Sequence, residues 1–256
     1  MGIKMTREWV ATLDARTRHE HGAADGQRVG VDEPFTVGGE KLMFPGDTSH
    51  GASGWNIYNC RCTVAASIKG HERKRETYQE WLGKKKEAVA AANAEADADT
   101  LEFLGADARD DLKSIVKRST IKLENGFAAF PDGDPLCECI KKVKPLKKFY
   151  DVAMHGSPIA VGFGTKETNM SPRLLASVIR HSDGWDGQKI RLLSCSTGKP
   201  NGDDYCFAEE LANALGVTVK APNDTLFISE NGVLKVGKGG EGKMIPYTPN
   251  QRRRRK

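Results

Sequence analysis

The sequence predicts two domains of different class: an α+β domain toward the N-terminal end, and an α/β domain in three layers around a short central parallel sheet toward the C-terminal end. Three observations carry this. Residues 149–154 and 189–193 are strand-like apolar runs with a helical pattern at 173–181 between them, the order of a parallel crossover unit. Residues 27–44 instead alternate short β-like runs around Gly38-Gly39, behind a helical pattern at 5–24. Between the two regions, residues 83–117 are rich in Ala, Glu, Asp and Lys with few large apolar side chains before Leu101, which reads as an exposed helix and a joint near 94–100.

In chain order, Trp9, Val10 and Leu13 have the spacing of a buried helical stripe, and Gly26 ends that segment. Pro45-Gly46-Asp47 opens a Gly/Ser-rich loop reaching Gly54; Asn59-Cys60-Arg61-Cys62 and a short strand at 63–68 follow. Residues 101–116 form a second amphipathic helix, and Glu124-Asn125-Gly126 is the turn of a hairpin. Cys137 and Cys139 are expected on one strand face, the competing reading being a zinc ion shared with another ligand, for which no histidine stands nearby. A helix at 203–215 is expected to be capped by Asp203 or Asp204 and closed by Gly216. A third strand at 217–222 and a hairpin turning at Glu230-Asn231-Gly232 complete the domain. The expected boundaries are 1–84, a helical linker at 85–118, a C-terminal domain at 119–236, and a basic tail at 237–256 too rich in Gly and charge for core.

Composition excludes several function classes. Of 256 residues 38% are hydrophobic, and the net charge is +5. The five terminal residues, Arg252 to Lys256, account for all of that charge, so the body is not a basic nucleic-acid binder. No run of 18 apolar residues spans a membrane, and residues 1–10 lack the apolar core of a secretory signal. Six cysteines are too few for a disulfide scaffold, and two Cys-x-Cys pairs suit a metal or reduced thiols in a reducing compartment.

Two sets of residues carry chemistry. Cys60 and Cys62 on an extended segment point to one face, and with a histidine nearby they suit zinc, which favours sulfur and imidazole ligands. His19 and His21 are roughly 200° apart around a helix, so one of them faces the pair; His21 is the better choice, with Asp25 one turn along. The competing reading is packed thiols beside a helix-end histidine. In the C-terminal domain His155-Gly156 and Cys195 sit at the ends of the two parallel strands, where ligands bind in such sheets. A thiol at neutral pH needs a neighbouring imidazole to take its proton, so His155 and Cys195 make a candidate base and nucleophile. The N–H groups of Gly156 and Cys195 would stabilise an oxyanion, and Asp151 is a candidate orienter of His155. The competing reading is a strand-end histidine and a small core thiol. His181 is expected at the surface and Cys206 in the core.

Trp9, the run at 12–18, His21, Asp25-Gly26, Phe35, Leu42, Phe44-Pro45-Gly46-Asp47, Asn59-Cys60-Arg61-Cys62 and the run at 77–81 resemble, in order, the phage minor head proteins with a Mu F-like domain. The likeness covers about residues 3–82. That resemblance implies a virion protein active in head morphogenesis, with portal or capsid proteins as partners. Family members usually carry a long helical region first, so the sequence is expected to be a fragment or to have lost it. His-Gly-Ser-Pro at 155–158, Leu-Leu-Ser-Cys-Ser-Thr-Gly at 192–198, the run at 208–216 and Val-Lys-Ala-Pro at 219–222 resemble the caspase-like cysteine peptidases and the C-terminal domains of polymorphic bacterial toxins. This implies a hydrolase using a His155–Cys195 dyad without a cofactor, a bacterial protein as substrate, a cytoplasmic site of action and an immunity protein. Asp203 and Asp204 would favour a basic residue in the specificity pocket. Two rival expectations are a virion component whose C-terminal fold is a dead peptidase used for binding, and a peptidase that cuts only its own linker.

Overall fold

The computed structural model describes residues 4–71, 74–106, 111–164, 166–202 and 205–249. The chain forms two compact units, Met1–Ala91 and Ala92–Lys256. Asp203, Asp204 and the basic run from Arg252 lie outside the described residues.

In the first unit the elements are β1 (Met5–Val10), α1 (His19–Ala23), β2 (Arg28–Gly30), β3 (Phe35–Val37), β4 (Glu40–Leu42), α2 (Gly54–Ile57) and β5 (Thr63–Ile68). The helix expected over residues 5–24 is corrected: its first part is β1, the central strand of an antiparallel sheet ordered β2-β1-β5. Thr6, Trp9 and Val10 favour extended backbone, and β5 offers a partner over six positions, from Met5 opposite Ile68 to Val10 opposite Thr63. Tertiary pairing overrides the spacing of Trp9, Val10 and Leu13. The Gly38-Gly39 hairpin forms as expected, with Val37 opposite Glu40. Trp9, Phe35, Val37, Leu42 and Ile57 close the core. Arg75 pins its edge, meeting Glu8 at 2.9 Å and Asp25 at 2.8 Å.

The helix α3 (Tyr78–Leu104) runs unbroken through 94–100, where the sequence suggested a joint. Its small residues bury a face there: Ala96 and Thr100 are buried, and Asp97 accepts a hydrogen bond from Ser177 at 2.5 Å. The second unit continues with α4 (Leu112–Arg118), β6 (Ile121–Leu123), β7 (Gly126–Ala128), α5 (Leu136–Ile140), β8 (Phe149–Ala153), β9 (Val161–Phe163), β10 (Lys166–Met170), α6 (Pro172–His181), β11 (Lys189–Leu193), α7 (Phe207–Leu215), β12 (Val219–Pro222), β13 (Leu226–Ile228), β14 (Leu234–Val236) and β15 (Met244–Tyr247). Six strands form one sheet ordered β15-β12-β11-β8-β7-β6. The four inner strands are parallel to one another; β6 and β15 are antiparallel edges.

Alternation divides the two faces of this sheet. Tyr150, Val152, Ile190 and Leu192 pack with α4, α6 and α7, whose Val116, Leu175, Ile179, Phe207 and Leu211 fill one core. Ala153 and Leu193 face the other way, onto Phe130 just after β7, Ile140 of α5, and Leu226 and Val236 of the β13–β14 hairpin. Ser171 caps α6, accepting from Leu174 N, and Pro172 starts it. Gly216, in the left-handed region at φ 71°, closes α7. Gly126 permits the β7–β8 contact, because a Cβ there would collide with the Asp151 carbonyl.

Two further expectations are corrected. Cys137 and Cys139 lie on α5, not on a strand, because Asp134 accepts the Leu136 N–H at 2.8 Å and starts a helical turn. Residues beyond 237 contribute β15, with Pro246 tolerated on an edge strand.

Candidate functional site

In the second unit, parallel pairing runs from Phe149–Lys189 to Ala153–Leu193, so His155 and Cys195 stand at equivalent positions just beyond the ends of neighbouring strands. Their loops touch: a Cβ on Gly156 would collide with the Ser194 hydroxyl and lie 3.2 Å from the Cys195 carbonyl. The Cys195 loop is firmly held. Thr197 Oγ1 donates to Ser194 O at 2.9 Å, Gly198 N to Pro222 O at 2.8 Å, and Ala208 N at the start of α7 to Thr197 O at 3.0 Å. Ser196 takes the left-handed conformation, φ 57°, which non-glycine residues adopt at a cost where the surroundings enforce it.

The carboxylate beside His155 is not the expected Asp151. Asp151 is buried and forms an ion pair with Arg191, 2.7 Å from Nε, so it does not face His155. Burial pushes the Asp151 carboxyl up, against the pull of Arg191. Asp134 stands there instead, its Oδ2 lying 2.6 Å from His155 Nε2 while its Oδ1 accepts Leu136 N–H. Burial opposes the charge, yet Leu136 N–H and His155 hold the Asp134 carboxyl below its ordinary value. A carboxylate on Nε2 fixes that nitrogen as the donor and leaves Nδ1 without a proton in the neutral ring. Phe130 supports the ring edge-on at 5.2 Å between centroids.

Cys195 Sγ receives Leu226 N–H at 3.3 Å and can donate to Leu226 O at 3.6 Å. Among the described residues no hydrogen bond joins it to His155. Gly156 is the non-hydrogen-bonded partner of Val161 in an isolated bridge, since the bonds there run from Gly162 N to His155 O and from Ser157 N to Ala160 O. The N–H groups of Gly156 and Cys195 therefore have no acceptor among the described residues. His181 is partly buried, with Nδ1 3.0 Å from Ser177 O, and Cys206 is buried at the start of α7.

The first unit gathers the second set. His21 Nδ1 lies 3.2 Å from Cys60 Sγ and 3.5 Å from Cys62 Sγ, and the three ligand atoms fall within 4.8 Å of one another. His19 is exposed while His21 is buried against Trp9. Asn59, at φ 56°, turns the chain into the Cys-x-Cys segment. Asn56 fixes the imidazole. Its Nδ2 donates to Val37 O at 2.9 Å and Glu40 Oε2 at 2.8 Å, so its Oδ1, 2.8 Å from His21 Nε2, must accept. Nε2 carries the proton, and Nδ1 faces the two sulfurs. The Cys62 thiol and His21 bring the Cys60 thiol down to about 4 against the effect of burial. The same contact with Cys60, and burial, push Cys62 up, and Cys60 raises His21. Asp25 serves elsewhere, accepting from Ala11 N at 2.6 Å and Tyr78 N at 2.8 Å. Sequence reasoning missed Asn56 and Asp134; the only local signal was an Asp-Pro helix start.

Residues 1–65 match the family described as Phage Mu protein F like protein. The N-terminal region is similar to the phage Mu F-like family over those residues. His21, Cys60 and Cys62 all lie within the matched residues. Residues 126–236, which include Asp134, His155 and Cys195, match a family described as Domain of unknown function (DUF8616). A stretch of 70 residues is 37% identical to the NAD(+)--arginine ADP-ribosyltransferase EFV of Enterococcus faecalis (strain ATCC 700802 / V583), covering 27% of this chain and 14% of that enzyme. The chain thus spans a small part of the relative's length. No solved structure matches.

Proposed function

We propose that this is a phage head protein whose Mu F-like domain associates with the virion and whose C-terminal domain is a caspase-like effector, a cysteine peptidase acting on a bacterial protein. The observation that carries the enzymatic reading is the in-register placement of His155 and Cys195 on adjacent parallel strands, with Asp134 bound to the histidine. In the reaction Cys195 Sγ attacks the scissile carbonyl carbon as His155 takes the thiol proton. The unpaired N–H groups of Gly156 and Cys195 receive the oxyanion. His155 then returns the proton to the leaving amine, and water hydrolyses the thioester, regenerating the thiol. The similarity to an enzyme described as an ADP-ribosyltransferase supports the effector reading only in its coarse form. Labelling by a thiol-directed peptide probe tests the dyad: it should be lost in Cys195→Ala and slowed in His155→Ala. Equal labelling of wild type and His155→Ala would remove the base from the mechanism.

One observation favours a second reading, a binding module without catalysis: Cys195 Sγ is engaged by the Leu226 backbone. Undiminished biological effect in Cys195→Ala would select it.

For the Mu F-like domain we propose a structural zinc ion held by His21 Nδ1, Cys60 and Cys62. The donor set fits, since two thiolates and one imidazole in a fixed tautomer are borderline-soft ligands. The ion would tie α1 to the segment entering β5. Metal analysis of the purified chain, with and without Cys60→Ser, tests it.

A further inference from the structure

Zinc in protein sites is almost always four-coordinate, yet the cluster in the Mu F-like domain supplies three donors. Among the described residues no fourth His, Cys, Asp or Glu joins His21, Cys60 and Cys62. The space beside them is a cavity of about 460 Å³ lined by Arg16, Thr17, Arg18, Asn59 and Arg61 as well as the ligands themselves. Asp14 is the acid facing this rim. It pairs with Arg61 and lies 3.9 Å from Arg16. Arg18 gives one N–H to the Tyr58 carbonyl and keeps its charge. Three guanidinium groups against one carboxylate leave the rim positive. A zinc ion with two thiolates is itself neutral, so the arginines set the field at the open position.

We propose that the fourth ligand comes from outside the domain and is a carboxylate, guided and held by Arg16 and Arg18. The inference rests on the zinc reading given above. A carboxylate oxygen is an accepted zinc donor, and a guanidinium presents parallel N–H groups that match its second oxygen. Water would fill the position without using the cationic rim. A further thiolate would bring no second acceptor atom for a guanidinium to hold. The cavity is large enough for one side chain or a chain terminus and opens to solvent. The same chemistry can arrive as a free small acid or as the carboxylate of a neighbouring polypeptide, and the site would cross-link the domain to the latter.

The full chain loaded with Co²⁺ tests this. The thiolate-to-cobalt charge-transfer band reports whether the trio binds metal, and the ligand-field bands report the fourth ligand separately. Acetate should shift the ligand-field bands saturably, and a short peptide with a free C-terminal carboxylate should do so at lower concentration if the source is a polypeptide. Its amidated form, lacking acidic side chains, should not. Arg16→Gln should weaken the acetate response about 10-fold while leaving the charge-transfer band in place. Three results would overturn the inference. An intact charge-transfer band with no anion response would show that the fourth position does not take a carboxylate. An equal response to phosphate would show that the rim selects charge alone. Absence of the charge-transfer band would remove the zinc reading itself, and this inference with it.

Discussion

Replacing Asp134 by Asn isolates the contact on which the proposed catalytic centre turns. The carboxylate uses both oxygens, one for Leu136 N–H at 2.8 Å and one for His155 Nε2 at 2.6 Å. Asparagine has one acceptor oxygen, so one of these donors loses its partner and the ring loses the neighbouring charge. A hydrogen bond to a charged group contributes about 1.5–3 kcal/mol, which corresponds to roughly a 10- to 150-fold fall in the rate of thiol attack. The assay is the rate of Cys195 modification by a peptide probe, followed against pH beside a thermal unfolding curve. Because the Asp134 carboxyl is held below its ordinary value, its effect is fully present above the unfolded carboxylate value of about 3.9 and is lost as pH falls through the lower folded value. The wild type should therefore outpace Asp134→Asn throughout the neutral range. Identical rates with unchanged stability would refute the reasoning, because the contact would then neither orient nor activate the histidine.

Three other perturbations have defined outcomes. Asn56→Leu keeps all three metal donors but frees the His21 tautomer, so metal affinity in a chelator competition should fall about 10- to 100-fold; unchanged affinity would discard the role given to Asn56. Asp47 is buried and accepts Met43 N at 2.7 Å and Ser49 N at 2.8 Å, so Asp47→Asn should cost about 1–3 kcal/mol in denaturant unfolding at neutral pH. Burial opposes the Asp47 charge but those N–H groups lower its carboxyl overall, so the deficit should shrink only as acid protonates the wild type; a gap that widens in acid would contradict this. Gly126→Ala would drive a methyl into the Asp151 carbonyl of the neighbouring strand, destabilising the second unit by about 3 kcal/mol; an unaltered melting temperature would show that β7 and β8 can separate freely.

Much of the second unit was legible because its elements are locally specified. The apolar runs of β8 and β11, the Ser171-Pro172 start of α6 and the Gly216 stop of α7 each carry their own signal. What failed was local preference meeting a long-range partner. Residues 5–10 have an apolar spacing compatible with a helix, and only β5, far along the chain, makes them a strand. The same holds for β15, whose Gly-rich surroundings hid a strand that needs the free edge of β12. Residues 94–100 failed for another reason: alanine reads equally as linker or as helix until a buried face is found for it.

By itself the sequence determined the chemistry on offer: a His-Gly and a Cys at two strand ends, and a histidine and a Cys-x-Cys segment in a Mu F-like motif set. Only the tertiary structure decided which neighbours complete them. Asp151 is four residues from His155 in sequence, yet strand alternation turns it inward to Arg191, while Asp134 reaches the imidazole from the loop before α5. Asn56 likewise sets the proton on His21 across 35 residues. Side-chain type is written in the chain, but the acceptor that a buried donor finds depends on which distant segments the two cores bring together.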